Sequence, residues 1–481
     1  MSELKLIDLF AGCGGMSLGL QWAGFRPLVA IEQSEMAAET YFHNFHRSGD
    51  PDKAWADHLN FVQNKDYLNQ AKRRVVVAGV EEVLNDDATM QWLEKQRVDV
   101  LVGGPPCQGF SMAGRRNSDD HRNQLPQHFI KYINKLRPRA VVVENVQGIN
   151  RRFAASAGRE TATDFEELCS RIAKIEVEVE AQGRGKVGYI VQPLELNAAH
   201  YGVPQHRPRM FIVALRADAV DLEADGDPLP LWRSRDFSEE RQGSPAERVP
   251  LLAPRPSHSK PVPADEALCD FEAGTYKLQG KRPPRREYEE RASRYAWEMR
   301  NDRNRWQKVP DSHEHRRHNP KTEERFRLYR KLADLGIPSS VFALAARRPK
   351  GGARTKAVEG FLRAKKGEDL SEKDVRNLAR QISDLPTRKH SQQVLDPAKP
   401  SPTVLTIPDD LIHPYEDRVM TVRELARLQS FPDSFTFHGR VTTGGKRRKD
   451  DVPRYTQVGN AVPPLLAKAI SQLLDGLLRG H

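Results

Sequence analysis

LKLIDLFAGCGGMSLGLQWAGFRPLVAIE, Leu4 to Glu32, is the stretch whose reading decides the fold. An apolar run, Leu4–Leu9, turns through DLFAGCGG (Asp8–Gly15) into an amphipathic stretch, Met16–Gly24, and then a second apolar run, Leu28–Glu32. Strand, glycine-rich turn, helix and strand form the repeating unit of an α/β domain with a parallel sheet. The glycines let the backbone turn sharply and approach a ligand closely. The spacing is not the G-x-G-x-x-G dinucleotide fingerprint. Taken alone, the turn reads as plain structure or as a ligand cradle. Glu32 closes the second run, where a doubly wound sheet binds a ribose hydroxyl pair. The competing reading of Glu32 is a solvated strand end.

The same alternation continues outward. Apolar runs recur at Val98–Val102, Ala140–Glu144 and Met210–Leu215, with amphipathic stretches at Gln127–Leu136 and Asp164–Gln182 between them. Arg47–Arg74 is polar and reads as an insertion before an element near Val75–Val83. Residues 1–215 therefore form a catalytic-type α/β unit with a mostly parallel sheet. After Arg216 prolines and charges crowd Asp225–Pro263, and charged helices are predicted near Arg286–Trp306, Thr322–Leu335 and Glu372–Ser383. Residues 216–400 read as a separate, smaller, inserted domain. In 401–481, Thr421–Phe431 has helical spacing and Asn460–Leu478 reads as an apolar terminal helix.

Composition narrows the class. The 481 residues are 38% hydrophobic, enough for a real core, and carry a formal charge of +11. That balance favours a polyanionic partner, because Lys and Arg release counterions from phosphates. The four cysteines, Cys13, Cys107, Cys169 and Cys269, form no C-x-x-C pair, so neither a zinc site nor a disulfide framework is expected. MSELKLIDLF is too short in apolar residues for a signal peptide, and no run is long enough to cross a bilayer. A soluble, cytoplasmic protein is expected.

Three more motifs carry chemistry. GGPPCQGFS (Gly103–Ser111) puts Cys107 at a strand's carboxyl edge, stiffened by prolines and followed by softer glycines. That setting suits a nucleophile under a closing loop; a buried structural cysteine is the alternative. VVVENV (Val141–Val146) ends an apolar strand in Glu144, which would act as an acid if enclosed and stay a surface residue if not. PQHRPR (Pro204–Arg209) places Arg207 and Arg209 on one face of an extended chain. Such a pair positions a carboxylate, a base carbonyl or a phosphate, or is simply solvated.

In this order the motifs resemble the cytosine-C5 DNA methyltransferase family of bacterial type. RVMTVRELARLQSFPD (Arg418–Asp433) and YTQVGNAVPP (Tyr455–Pro464) look like its two C-terminal motifs. The resemblance covers about residues 1–215 and 400–481; the stretch between matches no assignable pattern, as the family's variable target-recognition domain would.

The resemblance implies a Rossmann-like, S-adenosylmethionine-dependent methyltransferase domain. Phe10 would pack on the adenine, and Gly12, Cys13, Gly14 and Pro106 would border the donor. Glu32 would hold the ribose, and Asp87, in preference to Asp86, would face the adenine amino group. Asn460 and Ala461 would close the pocket, so the last helix would return to the first domain. The substrate would be double-stranded DNA with its target cytosine flipped out. Cys107 would attack C6, Glu144 would bond N3, Arg207 would orient the base and Glu144, and Arg209 would support the cysteine loop. Gln108–Gln124 would close over DNA, with Ser111, Arg115 and Arg116 as contacts. A monomer without metal, near the nucleoid and beside a restriction or defence system, completes this expectation.

Three rivals are weighed. An RNA-directed relative would share the catalytic motifs, but the large basic middle segment suits a duplex reader better. A catalytically silent relative would usually lack the cysteine or the glutamate, and both are present. A nicotinamide oxidoreductase would carry G-x-G-x-x-G. His43 with His46, and HEHRRH at His313–His318, have no cysteine nearby and are expected on solvated faces.

Overall fold

β1 (Lys5–Leu9), β2 (Arg26–Glu32), β3 (Val75–Val77), β4 (Val100–Gly103) and β5 (Ala140–Val146) lie parallel in one sheet. The computed structural model describes residues 3–46, 49–105, 124–150, 163–179, 185–220, 224–234, 249–271, 293–300, 310–365, 370–389, 391–443 and 451–480. Val177–Val179 and Gly185–Val187, β6 and β7, pair apart from that sheet. β8 (Tyr189–Asn197), β9 (Pro208–Arg216) and β10 (Trp232–Arg233) complete it, in the order β10-β8-β9-β5-β4-β1-β2-β3. β9 runs antiparallel to both its neighbours. The fold is thus α/β and Rossmann-like, with a mostly parallel sheet.

Strand order reverses at β1. The crevice beyond the carboxyl ends at such a reversal is where open α/β sheets bind ligands. Phe10, Glu32, Gly104 and Glu144 all come from those carboxyl ends.

The sheet is covered on both sides, which is why its strands read as continuous apolar runs. Alternate residues feed opposite faces. Ile7, Leu9, Ile31, Leu101 and Val141 enter one core with the helices Leu125–Leu136 and Asp164–Ala173. Leu6, Val100, Val102 and Val142 enter another with the helices Gly15–Trp22 and Pro464–Arg479. Those two helices approach at Gly19, where an added methyl would lie 2.4 Å from the Pro464 carbonyl oxygen. Ser471 Oγ donates to the Gly19 carbonyl at 3.2 Å.

Three local expectations change. Arg47–Arg74 holds two helices, Pro51–Gln63 and Tyr67–Lys72. Asp50 caps the first through the Asp52 and Lys53 N–H groups, yet that helix fully buries only Trp55 and His58, too few for a readable apolar stripe. The helix begun at Asp164 ends at Ala173, and IEVEV beyond it supplies β6. β8, whose apolar residues are interrupted by Gln192, Pro193 and Glu195, escaped the reading altogether.

Beyond β9 the chain divides its contacts. Helices Ala264–Asp270 and Arg294–Arg300 share a core with Met420, Leu425, Phe431 and Tyr455. Helices Pro320–Asp334, Val341–Ala346, Gly352–Lys365 and Glu372–Asp384 build a core of their own around Tyr329, Phe342, Val358 and Leu378.

Candidate active site

Phe10 and Gly12 leave β1 with φ of 57° and 55°, so the chain turns back at once. The turn presents the Gly12 N–H to Glu32 Oε2 at 2.8 Å, while Ser34 N–H donates to Oε1 at 2.7 Å. Burial nevertheless pushes the Glu32 carboxyl upward. The glycines of this turn differ in what they need. A methyl on Gly12 would meet nothing within 4 Å, so Gly12 faces open space beside the Glu32 carboxylate. A methyl on Gly14 would lie 2.6 Å from the Phe45 ring, and one on Gly15 2.4 Å from the Val462 oxygen.

The far end of the sequence closes this turn. Ala461 Cβ would stand 3.3 Å from a methyl on Gly15. Asn460 beside it is exposed. Cys13 points inward: its Sγ lies 3.6 Å from the Gln457 carbonyl, and burial pushes its thiol to about 12. Its side chain is therefore packing, and only its backbone borders the open space. Asp87 is exposed in the first turn of the helix Asp87–Lys95, one helix beyond the end of β3. Asp86 is that helix's N-cap, accepting from Thr89 N–H at 2.9 Å and from the Thr89 hydroxyl. Local capping thus claims NDDAT.

A second group sits at the ends of β4, β5 and β9. Gly103 pairs with Val143, which sets Glu144 beside the loop that leaves β4. A methyl on Gly104 would lie 3.1 Å from Glu144 Oε2. Asn145 Nδ2 donates to the Pro105 carbonyl at 3.1 Å and ties the two strand ends together. Cys107, Pro106, Ser111, Arg115 and Arg116 lie outside the described residues.

The arginines sit differently from the expectation: Arg209, not Arg207, stands against Glu144, and Arg207 reaches the C-terminal segment. Arg209 Nε stands 3.2 Å from Glu144 Oε1, with both side chains nearly enclosed. Glu144 faces Phe211 across the strand pair, so Arg209 is its diagonal neighbour on the same face. Arg207 precedes the strand and turns elsewhere. Its guanidinium donates to the carbonyls of Val404 at 3.1 Å, Gly459 at 2.7 Å and Ala461 at 3.0 Å. Burial raises the Glu144 carboxyl; Arg209 and, more weakly, Arg207 pull it back.

Several polar residues went unread. Asp8 is buried and accepts from Ser17 Oγ at 2.7 Å, which accepts from Tyr41 at 2.9 Å; burial holds Asp8 at about 7. Gln205 donates to the Leu428 carbonyl and to Gln429 Oε1, and accepts from Val404 N–H. The helix Val422–Leu428 is buried along its whole length. Its Arg427 pairs with Asp270 and Asp433, and its Glu424 with Arg418, all at 2.7 Å. Charged residues inside TVRELARLQSF, an otherwise apolar helix, were the available signal. The histidines are corrected too. His313 is buried and the side chain of half-buried His43 is largely covered, because His43 stacks on His438 and His313 on Phe271.

The sequence profile of the C-5 cytosine-specific DNA methylases matches residues 4–475. The chain belongs to the C-5 cytosine-specific DNA methylase family. This methylase is 28% identical over 481 residues to the type II methyltransferase M.DdeI of Desulfomicrobium norvegicum, covering 98% of this chain and 88% of that one. It is 29% identical over 509 residues to the DNA (cytosine-5-)-methyltransferase M.ApeKI of Aeropyrum pernix, covering 99% of each. A crystal structure of a candidate DNA modification methyltransferase from an E. coli prophage is similar in fold. Its TM-score is 0.50 at 22% identity, with 99% of this chain and 100% of that one covered. The C-5 cytosine methylase is accordingly a DNA (cytosine-5-)-methyltransferase, with DNA as substrate and S-adenosylmethionine as methyl donor. Its residues fit that donor: a carboxylate at the β2 end suits a ribose, and Gly12 leaves room beside it. Among the described residues, no single helix is long and apolar enough to cross a membrane.

Proposed function

We propose that this methyltransferase methylates C5 of a flipped cytosine within a specific duplex sequence, through a covalent bond from Cys107 to C6 of the base. The observation that carries the reading is the nearly enclosed Glu144–Arg209 pair above Gly104, three residues before Cys107. The Cys107 thiolate adds to C6. Glu144, whose carboxyl burial raises, donates a hydrogen bond to N3, so the electron pair pushed into the ring makes C5 nucleophilic. S-adenosylmethionine, when bound, would supply the electrophilic methyl group to C5, leaving as S-adenosylhomocysteine. Water then removes the C5 proton, the C5–C6 double bond re-forms, and Cys107 leaves as thiolate. Arg209 holds the Glu144 carboxyl toward the base, and Arg207 holds the segment Gly459–Ala461 that borders the donor.

Phe10, Gly12, Gly14 and Glu32 bind the donor, with Asn460 and Ala461 at its border. Ser111, Arg115 and Arg116 contact DNA phosphates and sugars. Residues 216–400 read the sequence, 1–215 perform the chemistry, and 401–481 complete the donor pocket. The enzyme works as a cytoplasmic monomer on nucleoid DNA. The type II names of its relatives support a restriction–modification or phage-defence setting.

Bisulfite sequencing of DNA from cells expressing the protein tests the reading. One methylated cytosine motif is expected with the wild type and none with Cys107→Ser, whose DNA binding persists in gel shifts. Near-normal turnover by that variant refutes the nucleophile.

A further inference from the structure

The helix Glu35–Phe45, which follows β2, carries Glu39 and His43 four residues apart and so on one face. His438 meets that face from the other end of the sequence. Its imidazole stacks on His43 with ring centroids 3.8 Å apart, and its Nδ1 lies 3.9 Å from Glu39 Oε1. His43 Nε2 is buried, has no hydrogen-bond partner among the described residues, and lies 3.8 Å from Asp52 Oδ1. One donor atom from each of Glu39, His43 and His438 falls within 4.8 Å of the others.

The backbone holds this group in place without help. His438 N–H donates to Thr40 Oγ1 at 2.8 Å, and Gln457 Nε2 donates to the His438 carbonyl at 3.0 Å. Asn44 bonds both the carbonyl and the N–H of Thr436. Gly439, at φ 82°, packs its backbone against Met36. Three of these hydrogen bonds come from the helix itself and fix residues 436–438 on it.

The cation closest in influence is Arg454. It donates to the Gly439 carbonyl and Ser312 Oγ, and Asp311 stands 3.7 Å away to match its charge. Glu39 and Asp52 supply the negative charge that a divalent ion offsets.

We propose that Glu39, His43 and His438, with Asp52 as fourth ligand, form a site for a first-row divalent metal of the zinc class. Two imidazoles and two carboxylates form a donor set that zinc accepts. Tetrahedral ligation brings donor atoms to about 3.4 Å apart. Rotation of the partly exposed His438 ring out of the stack, with an inward swing of the exposed Asp52, closes that gap. The ion would staple residues 435–439 to the helix that leaves the Glu32 strand.

The test is a Co²⁺ titration of the chelator-treated full chain. One equivalent is expected to bind with the visible d–d absorption of four-coordinate cobalt, and Zn²⁺ is expected to displace it. His438→Gln and Glu39→Gln, both at partly exposed positions, should each weaken binding at least tenfold with the far-UV circular dichroism unchanged. Absence of the band at saturating Co²⁺ overturns the proposal. So does a band of unchanged affinity in both variants.

Discussion

Arg209 and Glu144 pair at 3.2 Å across neighbouring antiparallel strands, while Arg207, two residues earlier, reaches the opposite end of the sequence. Two arginines in one short motif thus serve two different halves of the site.

Arg209 lowers the Glu144 carboxyl that burial raises. Arg209→Met removes the lowering influence, so Glu144 holds its proton to higher pH. If Glu144 enters the reaction protonated, the basic limb of kcat/KM against pH moves upward in the variant. Glu144→Gln keeps the shape but cannot give up a proton, and transfer should fall by roughly 10²–10⁴. Radiolabelled methyl incorporation across pH 6–9 checks both; an unmoved basic limb separates Glu144 from that limb.

Arg207→Met leaves the carbonyls of Val404, Gly459 and Ala461 without their buried donor. A stability loss on the order of 3 kcal/mol is expected. KM for S-adenosylmethionine should rise more than kcat falls, because the loosened segment borders the donor. Lys cannot span three carbonyls with one ammonium, so Arg207→Lys should restore little. Urea unfolding and donor titration measure the two effects.

Gly12 and Gly15 should answer alanine differently. Gly15→Ala drives a methyl into the Val462 carbonyl and should cost roughly 1–3 kcal/mol in folding. Gly12→Ala meets open space and bears only the strain of its positive φ, about 1 kcal/mol. Its larger effect should be weaker donor binding. Calorimetric titration beside thermal melts distinguishes them; equal loss of melting temperature contradicts the assignment of open space to Gly12.

Asp8 is held at about 7 by burial against a model-peptide value of 3.8. Between those values the folded chain keeps a proton that the unfolded chain has released. Asp8 therefore supports folding fully at low pH and loses that contribution as pH rises through about 7. The slope is at most about 1.4 kcal/mol per pH unit. Asp8→Asn should remove it, so the variant gains on the wild type from pH 4 to pH 7. Parallel stability–pH curves would place the titration elsewhere.

The parallel strands β1, β2, β4 and β5 were legible because burial on both faces leaves an unbroken apolar run. The positions of Glu144 and Arg209 followed from their strand ends. The division of labour between Arg207 and Arg209 was not legible, since it depends on cross-strand register and on where residues 404 and 459–461 fold back. The local roles of Asp86 and Asp87 were not legible, because NDDAT starts a helix that Asp86 caps while Asp87 is exposed in its first turn. The pairing of His43 with His438 rather than His46 joins positions nearly 400 residues apart, which no spacing rule reports.

Ser471 and Gly19 are 452 residues apart in sequence yet share a hydrogen bond. At roughly 5–20 residues per second, the ribosome takes about 20–90 s to travel between them. During that time Met16 and Leu20 on the first helix lack the partner that will cover them. A nascent chain therefore offers chaperones an apolar stripe until the helix Pro464–Arg479 emerges.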